Sequence, residues 1–142
     1  MAAISDYKTY LCVEGTTAGK YHKLVDVLSA PATGAAPKSI DVTTLSDAQS
    51  VGIPDRPETP TLEFEYNYNK TDYATVVAAV SLTVDKKYMI VYQDGSGVTF
   101  TAKGSTYIKE VSKGKQVTAA IALIASTIPE QVADTSTMME TV

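Results

Sequence analysis

The chain has 142 residues, of which 44% are hydrophobic, and its formal net charge is −4. This length suits a single domain with one core. No apolar run approaches the roughly 18 residues that a membrane-spanning helix needs, and the negative charge disfavours tight binding to nucleic acid, which requires a basic surface.

Short runs rich in threonine, valine, tyrosine and isoleucine predict a chain made mainly of β-strands. We expect the first two strands at Tyr7–Glu14 and His22–Leu28. Between residues 29 and 60 the composition changes, because five of the six prolines lie there, and only Ser39–Leu45 is expected to be extended. A segment this long with so little regular structure is usually functional or disordered. We favour an ordered segment because it has apolar side chains to bury, namely Ile40, Val42, Leu45, Val51 and Ile53.

The clearest predicted strand is Thr61–Asn69, where apolar and polar residues alternate strictly. Leu62, Phe64, Tyr66 and Tyr68 share one face, and Glu63, Glu65, Asn67 and Asn69 share the other. Alternation with a period of two is typical of a strand with one face on a core and one in water.

One helix is predicted at Lys70–Val80, with Thr71 or Asp72 as its N-cap. Its apolar residues recur at helical spacing. They are Tyr73, Val76, Val77 and Val80.

The second half of the chain predicts two antiparallel pairs. Lys87–Gln93 and Val98–Lys103 flank the turn Asp94-Gly95-Ser96-Gly97, and Ser105–Val111 and Lys115–Thr127 pair around Gly114. The elements together predict an antiparallel β-sandwich or partly closed barrel of about seven strands, flanked by one α-helix, with a long loop at 29–60. We expect one β domain at 1–130 and a flexible, polar C-terminal tail at 131–142.

No residue pattern supports catalysis or a cofactor. His22 is the only histidine, and Cys12 is the only cysteine and lies in an apolar run that predicts burial. No phosphate-binding glycine motif occurs. Glu63 and Glu65 have a separation of about 7 Å that a glycosidase pair could use, but the chain has no tryptophan for a sugar platform. We expect no enzyme, no metal, no cofactor and no secretion signal.

The segment Lys23–Asn69 carries a recognisable series of turns and strands. A strand leads into a proline-flanked turn at Ser29–Pro37, followed by the extended piece Ile40–Asp47, the loop Ile53–Asp55 and a strand ending in tyrosine and asparagine. Over this third of the chain the sequence resembles the tail tube proteins, or major tail proteins, of long-tailed non-contractile phages. The remaining elements are compatible with that family but match it more loosely.

The resemblance implies a virion protein made in the bacterial cytoplasm that assembles with itself. Subunits of that family form homohexameric rings stacked into a tube through which DNA is ejected, and other tail proteins (tape measure, terminator and tail tip) are the further partners it implies. An acidic lumen would repel DNA and prevent it from sticking. Candidate lumen residues are Glu63, Glu65 and Asn67, although this face could equally lie outside the tube. Candidate contacts between subunits or rings are Ile40, Val42, Leu45, Asp47, Ile53, Pro54, Asp55 and Arg56.

Two other functions remain open from the sequence. A tail terminator or a secretion-tube protein would also form rings, and a terminator ring would not propagate. A small receptor-binding or carbohydrate-binding β module would instead have a pocket lined by exposed aromatic residues and would be a stable monomer or trimer.

Overall fold

The computed structural model describes residues 9–34, 36–56 and 59–139. These ranges contain nine β-strands, one α-helix and one 3₁₀ helix. The strands are β1 (Tyr10–Glu14), β2 (Tyr21–Asp26), β3 (Ser39–Asp41), β4 (Gly52–Pro54), β5 (Thr61–Asn67), β6 (Lys86–Val91), β7 (Gly97–Ile108), β8 (Thr118–Ala125) and β9 (Glu130–Val132); the helices are α1 (Lys70–Ala79) and the 3₁₀ helix Ser136–Met138. Tyr7 and Lys8, which begin the predicted first strand, lie outside the described residues.

Seven strands form one antiparallel sheet in the order β2-β1-β6-β7-β8-β5, with β9 paired to the start of β7. The sheet folds over on itself, as the contact between Phe64 of β5 and Phe100 of β7 shows. Their rings stack with centroids 6.4 Å apart. A single antiparallel bridge between Ser29 and Glu65 joins the two ends of the sheet, which does not close a barrel. The predicted fold class, an antiparallel sandwich with one helix, is confirmed.

The strand β5 shows the predicted alternation of buried and outward residues. Leu62, Phe64 and Tyr66 are completely buried, and the Tyr66 hydroxyl lies 2.8 Å from Thr106 Oγ1. Burial of three large side chains on one face fixes the register of β5, because a shift by one residue would expose all of them. The polar residues of this strand therefore all point away from the core.

The strand β7 is one continuous strand of 12 residues, so the prediction of two strands separated at Gly104 is wrong. Its first half pairs with β6 and its second half with β8, which carries the chain from one layer of the sandwich to the other. At Gly104 a Cβ atom would collide with the Ala122 carbonyl oxygen and lie 2.7 Å from Leu123 Cδ2. Glycine is present here because the neighbouring strand approaches closely.

The helix α1 begins at Lys70 as predicted, but its N-cap is a different residue from the two predicted. Asn69 is the N-cap, and its Oδ1 accepts hydrogen bonds from the backbone N–H groups of Thr71 and Asp72. The predicted assignment of either of these two residues as the cap is therefore wrong. Of the predicted apolar positions Val76 is buried, whereas Val77 is 50% exposed, so the buried stripe is narrower than expected.

Residues 130–139, which begin with the strand β9 of the main sheet, are called the C-terminal strap. Thr135 is buried, and both its backbone N–H and its hydroxyl donate to the Gly95 carbonyl at 2.8 Å. Met139 bridges to Tyr21, and its sulfur lies 4.0 Å from Cys12 Sγ. The predicted burial of Cys12 is confirmed. The flexibility predicted for 131–142 stays a prediction, and 140–142 lie outside the described residues.

Across the described ranges, no helix combines the length and apolar character needed to cross a membrane.

Candidate assembly surface

The strands β3 and β4 form a two-stranded sheet of their own, separate from the main sheet. We call residues 38–55 the hairpin arm. Ile40 pairs with Ile53 in its ladder, the Val42 N–H donates to the Val51 carbonyl at 3.0 Å, and the Asp55 N–H donates to the Lys38 carbonyl at 2.7 Å. The predicted extended piece at Ser39–Leu45 is thus the first strand of a hairpin, and it ends at Asp41.

One face of the hairpin arm is apolar and exposed. Cross-strand partners and residues two apart along a strand lie on the same face, which here brings together Ile40, Val42, Val51 and Ile53. Their exposed fractions lie between 39% and 46%, and Leu45 at the tip is fully exposed. The expectation that these side chains are buried is therefore wrong for the single subunit. Contiguous exposed apolar surface is typical of an interaction site.

The tip of the hairpin arm is held by short local hydrogen bonds. The Thr44 N–H donates to Asp47 Oδ2 at 2.8 Å, and the Asp47 N–H returns a bond to the Thr44 carbonyl at 3.1 Å. The Thr43 N–H donates to Asp41 Oδ1 at 2.9 Å, and hydrogen bonds from Thr43 lower the pKa of this carboxyl group. Asp47, a candidate contact residue from the sequence, therefore also shapes the turn that presents Leu45.

The base of the hairpin arm contains the remaining candidate contact residues, Pro54, Asp55 and Arg56. The Arg56 N–H donates to Asp55 Oδ1 at 2.8 Å. Beside them lies a cavity of about 310 Å³, mostly apolar, which continues to Ile128 and Pro129 near the end of β8. Sequence reasoning did not find this cavity, because its walls come from three separate segments and no local pattern joins them.

The candidate lumen residues lie on the outward face of β5, β8 and β7, which we call the outer face. Glu63 accepts a hydrogen bond from the Tyr107 hydroxyl at 3.0 Å, a bond that raises the pKa of Tyr107. Glu65 forms an ion pair with Lys109 at 3.4 Å. Asn67 is exposed at the end of β5, opposite Thr118.

The outer face is close to neutral in charge. Lys103 also lies on it, since this residue pairs with Ile124 of β8, and its ammonium group is 3.9 Å from Asp85. Glu63 and Glu65 thus share this surface with Lys103 and Lys109, and Asp85 beside Lys103 is a third carboxylate. Sequence reasoning identified the acids from the alternation in β5 but missed Tyr107 and the lysines, because it did not predict that β5 pairs with β8 and so brings the two groups onto one face.

Residues 9–34, 36–56 and 59–139 contain no candidate metal site. No group of three or more His, Cys, Asp or Glu side chains in these ranges could hold a metal ion. In the glycine-rich turn after β6, the Asp94 carboxylate is used to hold the turn. Its Oδ1 accepts hydrogen bonds from the backbone N–H and the hydroxyl of Ser96.

No protein-family model matches the sequence, and no curated protein matches it. Solved structures do match its fold. A chain of the sheath-tube complex of PVC, an extracellular contractile injection system, in the extended state superimposes with a TM-score of 0.69 at 12% identity, over 92% of each chain. The sheath/tube terminator of PVC gives 0.68 at 13% identity, over 94% of this chain and 99% of that one.

A third structure, the tail of an empty GTA particle with C6 symmetry, gives a TM-score of 0.67 at 10% identity, over 92% of this chain and 100% of that one. The fold is tail-tube-like. The tail-tube resemblance seen in the sequence is thus confirmed at the level of fold. The fold does not distinguish non-contractile from contractile systems, because two of these structures belong to a contractile system.

Proposed function

We propose that this chain is a structural protein that assembles with itself into hexameric rings, and that these rings stack into the tube of a phage tail. The observation that carries the proposal is the hairpin arm, whose apolar face is unburied in the single subunit. The buried core is formed by the main sheet and α1 and includes no residue of the hairpin arm. The apolar face of the arm is therefore available for a partner. The tail-tube-like fold supports a second copy of the chain as that partner.

The hairpin arm has the properties expected of an assembly element. Its backbone is fixed by the ladder and by the bonds at its tip, so little conformational entropy is lost when it docks. Complete burial of a valine or isoleucine contributes about 1.5–3 kcal/mol. Because each of the four side chains keeps about two fifths of its surface exposed, their burial in a contact supplies several kcal/mol.

The outer face is our candidate for the lumen wall, with Glu63, Glu65 and Asn67 facing the DNA. Its lysines are matched by carboxylates, and Lys109 lies 3.4 Å from Glu65. Such a surface offers phosphate no unpaired basic patch, which suits a conduit from which DNA must not be retained. The alternative, in which this face lies outside the tube, is tested by the charge reversal described in the Discussion.

The narrower parts of the proposal follow the sequence resemblance. They are a tail without a contractile sheath, a location in the virion tail, and contacts with a tape measure, a terminator and a tail tip. The fold supports a tail component but is shared with a contractile system. Co-expression with a sheath protein of a contractile system tests this point, since a non-contractile tube is expected to leave that sheath unbound.

The second candidate function is a tail terminator, a ring that does not propagate. The observation in its favour is that the terminator of PVC matches nearly as well as the sheath-tube chain, with TM-scores of 0.68 and 0.69. The two functions differ in whether rings stack on one another.

Negative-stain electron microscopy of the purified chain, fresh and after concentration, tests the proposal. Stacked rings with a central channel are the expected result for a tube subunit. Single rings at every concentration would favour the terminator. Compact single particles throughout would contradict self-assembly of the isolated chain and would favour a binding module.

A further inference from the structure

The cavity at the base of the hairpin arm is a preformed apolar site. Its volume is about 310 Å³, at the lower end of the range for ligand pockets. Proline fixes its own backbone φ, so a wall built around prolines keeps its shape when the site is empty. The lining residues are Thr33, Gly34, Ala36, Pro37, Lys38, Asp55, Arg56, Pro60, Ile128 and Pro129.

The tip of the hairpin arm is an apolar knob. Leu45 is fully exposed and sits in the turn closed by Thr44 and Asp47. A leucine on a fixed turn gains from burial while losing little backbone freedom. Its aliphatic side chain is small enough for the cavity, with room left for adjacent atoms of the turn.

The tip and the cavity carry opposite charge. Asp41 and Asp47 give the tip two carboxylates, whereas the charged residues among the described lining of the cavity, Lys38, Arg56 and Asp55, sum to +1. Attraction between them would orient the knob as it enters. The two sites of one chain cannot meet, because six residues of extended chain between base and tip span about 20 Å at roughly 3.3 Å per residue.

We infer that Leu45 of one copy docks into the cavity at the base of the hairpin arm of a second copy. The inference rests on the proposed self-assembly and identifies the cavity of a second copy as the surface that binds the tip of the hairpin arm. The contact is heterologous when the tip of each copy enters the cavity of the next copy, rather than two copies exchanging tips within a pair. Repetition of such a contact closes into a ring or continues along a stack, which are the two operations that a tube requires.

A disulfide between tip and cavity tests this contact in the full-length chain. The double variant Leu45→Cys with Ala36→Cys places one thiol at each site. A disulfide requires Cα atoms within about 7 Å, so a bond between these positions must join two copies. Oxidation is expected to give a ladder of covalent multimers that a reductant removes. The matched control is Leu82→Cys with Ala36→Cys, because Leu82 is 71% exposed and lies outside the hairpin arm; no ladder is expected from it.

A second pair of variants measures the contribution of the knob. Leu45→Asp is expected to raise the concentration needed for assembly by about tenfold or more, the effect of losing one buried apolar side chain. Leu82→Asp is expected to assemble like the original chain. If the original chain assembles, normal assembly by Leu45→Asp together with no ladder from the Leu45–Ala36 pair overturns the docking and leaves the proposed function intact. If the original chain forms no oligomer at any concentration, the proposed function itself fails.

Discussion

Ile40 and Ile53 face each other across the hairpin arm, and each keeps 46% of its surface exposed. The main sheet differs sharply, because Leu62 and Leu123, which also pair across two strands, are both completely buried. Residues that hold the subunit together are therefore separate from the apolar residues left for assembly. This separation allows each group to be tested without disturbing the other.

The double variant Ile40→Thr with Ile53→Thr tests the hairpin arm. Threonine is β-branched and keeps the preference for a strand, so the free energy of unfolding is expected to change by less than about 1 kcal/mol. Assembly is expected to be lost, because the arm no longer presents a continuous apolar face. Chemical denaturation and analytical ultracentrifugation measure the two effects. Val84→Thr, at a residue that is 55% exposed outside the arm, is the control and should assemble normally.

Gly104→Ala tests the close approach of β7 and β8. The added methyl group meets the Ala122 carbonyl oxygen, so the strands must separate, and we expect the free energy of unfolding to fall by about 1–3 kcal/mol. Gly34→Ala is the matched control, since nothing lies within 4 Å of its added Cβ. Equal stability of the two variants would show that β7 does not need a glycine at position 104.

The strongest features of the sequence predicted the fold well. Alternation in Thr61–Asn69 gave a strand with the correct buried face, because three large side chains on one side leave only one favourable register. The prediction wrongly ended a strand at Gly104, because a glycine inside a strand pattern can mark either an interruption of the strand or a close approach of a neighbouring strand. Only the position of the Ala122 carbonyl decides between them.

The candidate site was predicted in part. The apolar residues of the hairpin arm were identified, but its second strand, Gly52–Pro54, has three residues and no alternation that could reveal it. The cavity depends on Ile128 meeting Pro37 in space, a relation between distant segments. The C-terminal strap was missed for the same reason, because Thr135 is buried through bonds to Gly95, 40 residues earlier in the chain.

The C-terminal strap is expected to protect the Cys12 thiol. Burial raises the pKa of Cys12 to about 12, so the reactive thiolate is almost absent at pH 8. A chain shortened to residues 1–134 loses Met139, which contacts the thiol, and we expect its rate with a disulfide reagent to rise by about tenfold or more. A chain ending at Met139 is the control. Rapid reaction of the full-length subunit would instead support the flexible tail predicted from the sequence.

Charge reversal on the outer face tests its position in the tube. Glu63→Lys with Glu65→Lys removes the acid that pairs with Lys109 and adds two ammonium groups to this face, so tubes assembled with DNA are expected to retain it in a salt-dependent manner. DNA held in the lumen should resist nuclease. Asp26→Lys with Glu130→Lys changes the net charge equally at exposed residues elsewhere and serves as the control. Retained DNA that nuclease digests would place the outer face on the outside.

The buried hydroxyl of Tyr88 is expected to make the free energy of unfolding depend on pH in the alkaline range. Tyr88 is completely buried, no hydrogen-bond partner for its hydroxyl lies within the described ranges, and burial raises its pKa from 10.0 to about 12. Above pH 10 the unfolded chain releases this proton while the folded chain keeps it, so the free energy of unfolding falls as the pH rises, by about 2–3 kcal/mol at pH 12.

The variant Tyr88→Phe should therefore be less sensitive to alkali, as measured by denaturation between pH 9 and 12. Part of the dependence should remain, because the Cys12 thiol has its pKa raised over the same range. At pH 7 the variant should gain about 1 kcal/mol, since it removes a buried hydroxyl without a partner. Tyr73→Phe is the control because Tyr73 is partly exposed. A loss of stability in Tyr88→Phe at pH 7 would mean that the hydroxyl has a hydrogen-bond partner after all.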